Sequence, residues 1–270
     1  MKWLIISDIH ANLEALDIIL LHSSIAGANN LIFTGDIVTF GPNPNECIEK
    51  IISVSSSYSS KYFVMGNNDL MISQREKPKL HNSDYERSVD WTNKTITDEN
   101  RRILASFLHG PVIVDRRFTL VHGSFTDPIG INGYMDDKSA ITASFSKLES
   151  PIGFFGHTHR PAIYIESKIS NVNSSYEEIV PAYKEATQNP LKEFIFSYKD
   201  IFDQGRKIII NSGSAGHPRD GNPDAAYIIL DDKIMEIHFY RTSYNVEQTK
   251  QKMRNAFLPE NHIIDLGVGR

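Results

Sequence analysis

WLIISDIH, residues 3–10, sets the apolar run Trp3 to Ile6 directly against Ser7, Asp8 and His10. A short apolar run with aromatic and β-branched content, stopped at once by polar residues, has the length of a buried strand and not of a helix. The same pattern returns in LIFTGD (31–36), FVMGNND (63–69), FTLVHGS (118–124), IGFFGHTH (152–159) and IIINSGS (208–214). Between the early runs the spacing changes. Leu13, Leu16, Ile19 and Leu20 repeat at helical intervals, and so do Ile48, Ile51 and Ile52 behind Asn43-Pro44, a predicted N-cap followed by proline in the first helical position. Strand, helix, strand, helix implies parallel strands with helices on the sheet faces. In such sheets ligands bind beyond the carboxyl ends of the strands, where these polar residues fall.

The totals bound what such a chain can do. With 270 residues, 40% hydrophobic and 23% charged, it can bury a substantial core. The formal charge of −5 argues against a nucleic-acid polymer as partner, since neutralising phosphates favours a basic surface. The single cysteine, Cys47, excludes an intramolecular disulfide. MKWLIISDIH is too short an apolar run for a secretory leader, and no run of about 18 apolar residues occurs elsewhere. The expectation is a cytoplasmic protein with no membrane contact.

Each polar cluster taken alone has an ordinary explanation. An aspartate after a strand often caps a helix or makes a turn. A lone histidine is more often a hydrogen-bonded structural residue than a ligand, and His22, His81, His109, His238 and His262, which follow no strand-to-glycine pattern, read that way. Six runs ending alike, among them Asp8-x-His10 and His157-x-His159, are hard to explain as independent turns. Together they offer two carboxylates, Asp8 and Asp36, four imidazoles, His10, His122, His157 and His159, and the amide oxygen of Asn67. That mixture suits manganese, iron, zinc or nickel better than calcium or magnesium, which prefer oxygen shells. Seven donors are too many for one tetrahedral ion and about right for two ions roughly 4 Å apart that share a carboxylate. The spacing of His157 and His159 does not decide whether they serve one ion or two.

In this order, SDIH, GDIVTFG, GNND, VHGS and GHTHRP resemble the five motifs of the calcineurin-like metallophosphoesterase superfamily. NSGSAGHPRDG (211–221), followed by AAYIIL, resembles the tail of a microbial subgroup of small phosphodiesterases and phosphatases related to diadenosine tetraphosphatase. The resemblance spans roughly Met1 to Leu230. It implies a first ion on Asp8, His10, Asp36 and His159, and a second on Asp36, Asn67, His122 and His157, with Asp36 bridging and manganese the leading metal. It further implies that the ions polarise a phosphoryl oxygen and lower the pKa of a water to give the attacking hydroxide.

One position departs from the family pattern. Many members carry histidine beside the asparagine ligand, as transition-state stabiliser and proton donor to the leaving group; here the residue is Asn68. An amide can donate a hydrogen bond to a phosphoryl oxygen but delivers no proton at neutral pH. General acid catalysis is worth about 10²- to 10⁴-fold, and its loss weighs most on strongly basic alkoxide leaving groups. Phosphodiesters and phosphoanhydrides, such as dinucleoside polyphosphates, are therefore expected to be better substrates than phosphoserine or sugar phosphates. His217 stands where relatives tend to have glutamine, and is a candidate for the missing proton donor or for a phosphate contact. Arg219 is a candidate phosphate clamp, weighed against an ion pair with Asp220. Asn12 either caps the first helix or reaches substrate.

The resemblance implies an α/β fold, a four-layer α/β/β/α sandwich of two mixed sheets, expected as one domain over residues 1–270. Residues 167–206, rich in Asn, Ser and Tyr, read as an insertion between two strands, either a flap or decoration. DDKIMEIHFYRTSY (231–244) reads as a strand or hairpin and NVEQTKQKMRNAF (245–257) as a final helix. The expected activity is metal-dependent hydrolysis of a small phosphorylated, nucleotide-like substrate. The alternatives are a serine/threonine protein or small-molecule phosphomonoesterase and, from another class, a non-catalytic metal-binding scaffold.

Overall fold

The computed structural model describes residues 1–76, 78, 83–167, 176–185 and 191–270; His81 and the parts 168–175 and 186–190 of the expected insertion lie outside the described residues. The chain begins by alternating β1 (Lys2–Ile6), α1 (Leu13–Ile25), β2 (Asn30–Phe33), α2 (Pro44–Ser55) and β3 (Ser60–Phe63), and continues through α3 (Asn67–Ser73), α4 (Ser83–Thr95) and α5 (Asp98–Ala105). Then follow β4 (Val112–Val114), β5 (Phe118–Leu120), α6 (Lys138–Lys147), β6 (Ile152–Phe155) and β7 (Ala162–Glu166). The stretch read as an insertion holds β8 (Tyr176–Ile179), β9 (Lys184–Glu185), β10 (Lys192–Ser197) and α7 (Lys199–Asp203). The chain ends with β11 (Ile208–Asn211), β12 (Ala225–Asp231), β13 (Glu236–Thr242), α8 (Val246–Asn255) and α9 (Glu260–Val268).

Side-chain alternation along the strands makes the layers. Trp3 and Ile5 of β1 pack with Phe118, Phe154, Ile208, Ile210 and Phe239 in a core between two sheets, whereas Leu4 and Ile6 pack with Leu16, Ile19, Ile48 and Ile51 of α1 and α2. In the other sheet Ile209, between Ile208 and Ile210, turns outward onto Ile141 and Phe145 of α6. The result is helix, sheet, sheet, helix. One sheet has seven strands in the order β3-β2-β1-β12-β13-β10-β9, the other six in the order β4-β5-β6-β11-β7-β8.

Both sheets are mixed. β1, β2 and β3 are parallel neighbours, and so are β5, β6 and β11, while the remaining pairs are antiparallel. The carboxyl ends of the two parallel triplets thus carry all six polar runs. No helix among the described residues is long and apolar enough to cross a membrane.

Three local expectations need correction. β3 ends at Phe63, with Val64 only bridging Leu108, so FVMG is mostly the exit from the strand, and Asn67-Asn68-Asp69 opens α3. Asn43 precedes Pro44 at the start of α2, but its side chain makes no cap bond. The helix within 245–257 is present as α8 but is not final: α9 follows, and its Ile263 and Leu266 pack on Met253. The described part of 167–206 is built into both sheets, with β8 on the edge beside β7 and β10 beside β13. Its polar composition suits half-exposed edge strands.

Candidate metal centre

The left-handed backbone of the loops that carry the candidate ligands is the first sign of a site. Asp8 (φ 52°), His10 (48°), Asp36 (60°), His157 (65°) and His159 (59°) all lie in the region that non-glycine residues avoid, at a cost of about 1–3 kcal/mol each. The loops hold one another there: Asp8 N donates to Gly35 O (2.9 Å), His10 N to Asp36 O (3.1 Å), and His157 N to Asp8 Oδ2 (3.1 Å). Glycine is needed where they touch. A Cβ on Gly66 would lie 2.1 Å from Asp36 Oδ1, and one on Gly156 would lie 1.9 Å from Ser7 Oγ.

Two buried groups of donors result, Asp8 with His10 and His159, and Asp36 with His122 and His157, the donor atoms of each group within 4.8 Å of one another. In the first, His10 Nδ1 donates to Val38 O (3.0 Å) and His159 Nδ1 to His217 O (2.5 Å). Those bonds set the tautomer, because a carbonyl only accepts. Both Nε2 atoms therefore present lone pairs, and they face each other at 3.0 Å, with Asp8 Oδ1 at 3.9 and 3.3 Å. Two ring lone pairs converging beside a carboxylate is the donor chemistry of a cation site, and the residues fit a divalent ion.

The second group is built alike. His122 Nδ1 donates to Thr34 O (2.7 Å), which turns Nε2 toward Asp36 Oδ2 (3.2 Å) and Asn67 Oδ1 (3.2 Å). Asn67 thus stands with Asp36, His122 and His157.

Burial and mutual repulsion keep three rings neutral, the form that binds metal. Burial, then His159, lowers His10 to about 3; burial, then His122, lowers His157 to about 4; burial, then Arg219, drives His159 well below its usual value. His122 differs. Burial works against its charge, but Asp36, by charge and hydrogen bond, raises it to about 9. For Asp36 itself, burial is outweighed by the charge and hydrogen bond of His122, leaving it below the usual carboxylate range, while burial raises Asp8.

Asn68 is committed within the protein. Its Nδ2 donates to Asp36 Oδ2 (2.5 Å), its backbone N to Asp36 Oδ1 (2.9 Å), and its Oδ1 accepts from the Tyr85 hydroxyl (2.7 Å). Asp69 accepts from the backbone N of Asp36 (2.7 Å), Ile37 (2.9 Å) and Gly66 (3.1 Å), tying the two loops together.

The remaining candidates fall around this centre. The His217 ring is buried and stacked on Phe40 (5.0 Å, 16°), 6.1 Å from the rings of His10 and His159; its backbone oxygen is the atom that holds His159. Burial, then Arg219, holds this ring well below its usual pKa. Arg219 lies over Phe40 (5.7 Å), and Asp220 pairs with Arg241. Asn12 caps α1 through Ala15 N (3.2 Å) and donates to Gly216 O (2.9 Å) and the Tyr244 hydroxyl (3.0 Å). The sixth polar run supplies support in place of donors: Ser214 Oγ donates to Asp8 O (2.7 Å), and Asn211 Nδ2 to Gly156 O (2.7 Å). Sequence reasoning missed Tyr85 and Tyr134, which carry no motif, and Phe40, which lies within GDIVTFG but is no candidate ligand; the Tyr134 ring stacks on His157 (4.3 Å, 16°).

The sequence model of the calcineurin-like phosphoesterase superfamily domain matches residues 1–175. The chain is 32% identical to a metallophosphoesterase of Sphaerobacter thermophilus whose crystal structure it matches with a TM-score of 0.78, over 100% of this chain and 99% of that one. A hypothetical protein of Pyrococcus horikoshii OT3, 16% identical, shares the fold with a TM-score of 0.73 over 100% and 98% of the two chains. An uncharacterized protein of Methanocaldococcus jannaschii is 29% identical over 261 residues, 95% of this chain and 93% of its own.

Proposed function

The chain belongs to the calcineurin-like phosphoesterase superfamily, and from that premise we propose that it hydrolyses phosphodiesters or phosphoanhydrides of nucleotide type, with two divalent ions held by Asp8, His10, His159 and by Asp36, Asn67, His122, His157. The observation that carries this reading is the pair of lone pairs facing each other at 3.0 Å, His10 Nε2 and His159 Nε2, beside the Asp8 carboxylate and next to a second group of the same composition. Bound there, two ions would supply Lewis-acid activation of water and of the phosphoryl oxygens. Manganese is the leading candidate by the family resemblance, and the mixed nitrogen and oxygen donors suit iron, zinc and nickel as well.

The chain's own residues set the substrate range. Arg219 supplies a positive charge beside the first group for the phosphate to meet. Asn68 positions Asp36 and holds no transferable proton at neutral pH. His217, neutral by burial, contributes at most a hydrogen bond. With no charged acid to protonate a leaving oxygen, the substrates served best are those whose leaving group departs as a stable anion, an aryl oxide or a nucleoside phosphate. We place this activity in the cytoplasm.

Metal-stripped protein reconstituted with manganese, assayed on an aryl phosphodiester, diadenosine tetraphosphate and an alkyl phosphomonoester, tests the reading, with Asp36→Asn as control. Turnover of the first two that disappears in the control is expected. Faster turnover of the alkyl phosphomonoester would defeat the leaving-group argument, and no turnover of any of the three would defeat the assignment.

A further inference from the structure

Among the described residues, the aromatic rings touching a candidate ligand differ sharply in exposure. Phe40 is 8% and His217 4% exposed, whereas Tyr134 is 48% exposed. One face of Tyr134 lies flat on the His157 ring, with centroids 4.3 Å apart and planes 16° apart. About half of the residue's surface remains exposed, at 48%. An exposed aromatic face at the rim of an anion site is a surface on which a base can stack.

The ring is not on a loose tip. The next residue, Met135, is fully buried with Ile141 and Phe145 of α6. Upstream, Pro128 O accepts from His122 N (2.8 Å) and Gly123 N (3.0 Å), and Asp127 Oδ2 accepts from Asn132 N (2.7 Å). The segment carrying Tyr134 is therefore fastened to the turn that carries His122. Arg219 lies by the first group, where its backbone N donates to His159 O (3.3 Å).

We propose that Tyr134 is a stacking platform for a nucleobase, placed beside the Asp36, His122 and His157 group so that a phosphate at the centre carries its base onto the exposed face of the ring. The inference rests on the phosphoesterase reading only for the position of the phosphate. It names the substrate class as nucleoside phosphates, selected by the base and not by the phosphate alone. The planar face makes the preference tolerant of base identity, because every base has a π-face.

Calorimetric titration of manganese-reconstituted protein with adenosine 5′-monophosphate and with ribose 5-phosphate tests this. The expected result is about tenfold tighter binding of the nucleotide, as one base–aromatic stack provides. Tyr134→Ala should abolish the difference and Tyr134→Phe, which keeps the ring, should preserve it. Equal affinities in the unaltered protein, no binding of either probe, or a difference that survives Tyr134→Ala would overturn the proposal. So would a Tyr134→Ala protein that loses both probes alike together with its metal, because the ring would then be only a cover for His157. A nucleotide preference in a protein that hydrolyses none of the three assay substrates would uphold the platform while removing the hydrolytic activity.

Discussion

The Tyr85 hydroxyl donates to Asn68 Oδ1 at 2.7 Å, and the same amide donates to Asp36 Oδ2 at 2.5 Å. Tyr85 thereby fixes which end of the Asn68 amide faces the carboxylate common to both loops. Tyr85→Phe removes that constraint while keeping the ring stacked on Phe40 (5.7 Å, 28°). With a hydrogen bond worth about 0.5–1.5 kcal/mol, kcat should fall about 3- to 10-fold on every substrate. Steady-state kinetics showing an unchanged kcat would dismiss the positioning role.

Asn68→His restores an imidazole beside Asn67. If the missing proton donor limits turnover of poor leaving groups, the rate on an alkyl phosphomonoester should rise at least about tenfold relative to an aryl phosphodiester, within the range of general acid catalysis. A ratio of the two rates that does not move would show that leaving-group protonation is not what Asn68 lacks.

Asp69 satisfies three buried backbone donors, those of Asp36, Ile37 and Gly66. Asp69→Asn turns one acceptor into an NH₂ donor facing N–H groups, and a buried donor left unsatisfied costs about 1–3 kcal/mol. Urea unfolding should show a loss of that size, and metal analysis a lower occupancy, because Asp36 is the residue released. Full stability and full occupancy would contradict this account.

Chelation should lower the melting temperature. The ligands sit on strained backbone with lone pairs and carboxylates converging, so an ion that binds only the folded state stabilises it by about 2.7 kcal/mol at a hundredfold excess over its Kd. Scanning calorimetry with and without manganese measures the shift. In Asp36→Asn the shift should shrink; a shift equal to that of the unaltered protein would place the ion elsewhere.

At the opposite end of the strands, Asp232 accepts from Arg117 Nη2 (2.6 Å), Trp3 Nε1 (3.2 Å) and the Met1 amino group. Burial works to raise its pKa, but these partners outweigh burial and leave it below the usual 3.8. A carboxylate depressed in the folded state contributes stability that is present above its unfolded pKa and lost as pH falls through the folded one. Asp232→Asn should therefore be less stable than the unaltered protein near pH 6, with the gap closing progressively below about pH 5. A gap independent of pH would mean that the loss is packing and not charge.

The strands, the first two helices and the placing of the polar runs were legible because each depends on neighbours within a few residues. Trp3 to Ile6 alternates between two cores, and Leu13 to Leu20 keeps helical spacing, whatever the rest of the chain does. FVMGNND misled at its start because Val64 and Met65 are buried like strand residues although the ladder ends at Phe63. The stretch 167–206 was opaque for another reason: β8, at a sheet edge, and β10, flanked on one side only by the two-residue β9, bury little, so composition does not distinguish them from loops. Tyr85 and Tyr134 lie on segments with no motif, and only their contacts with Asn68 and His157 give them meaning.

By itself the sequence determined an α/β chain whose strands end in residues of metal-ligating type, because strand period and chain punctuation are local properties. The tertiary structure decided how those residues combine. Asp8 meets His159 only because β1 and β6 lie in different sheets with facing carboxyl ends. Val38 O, His217 O and Thr34 O each take the Nδ1 proton of one ring and turn its Nε2 inward, and a backbone carbonyl leaves no trace in sequence. The donor types are a property of the chain; their convergence is a property of the packing of two sheets.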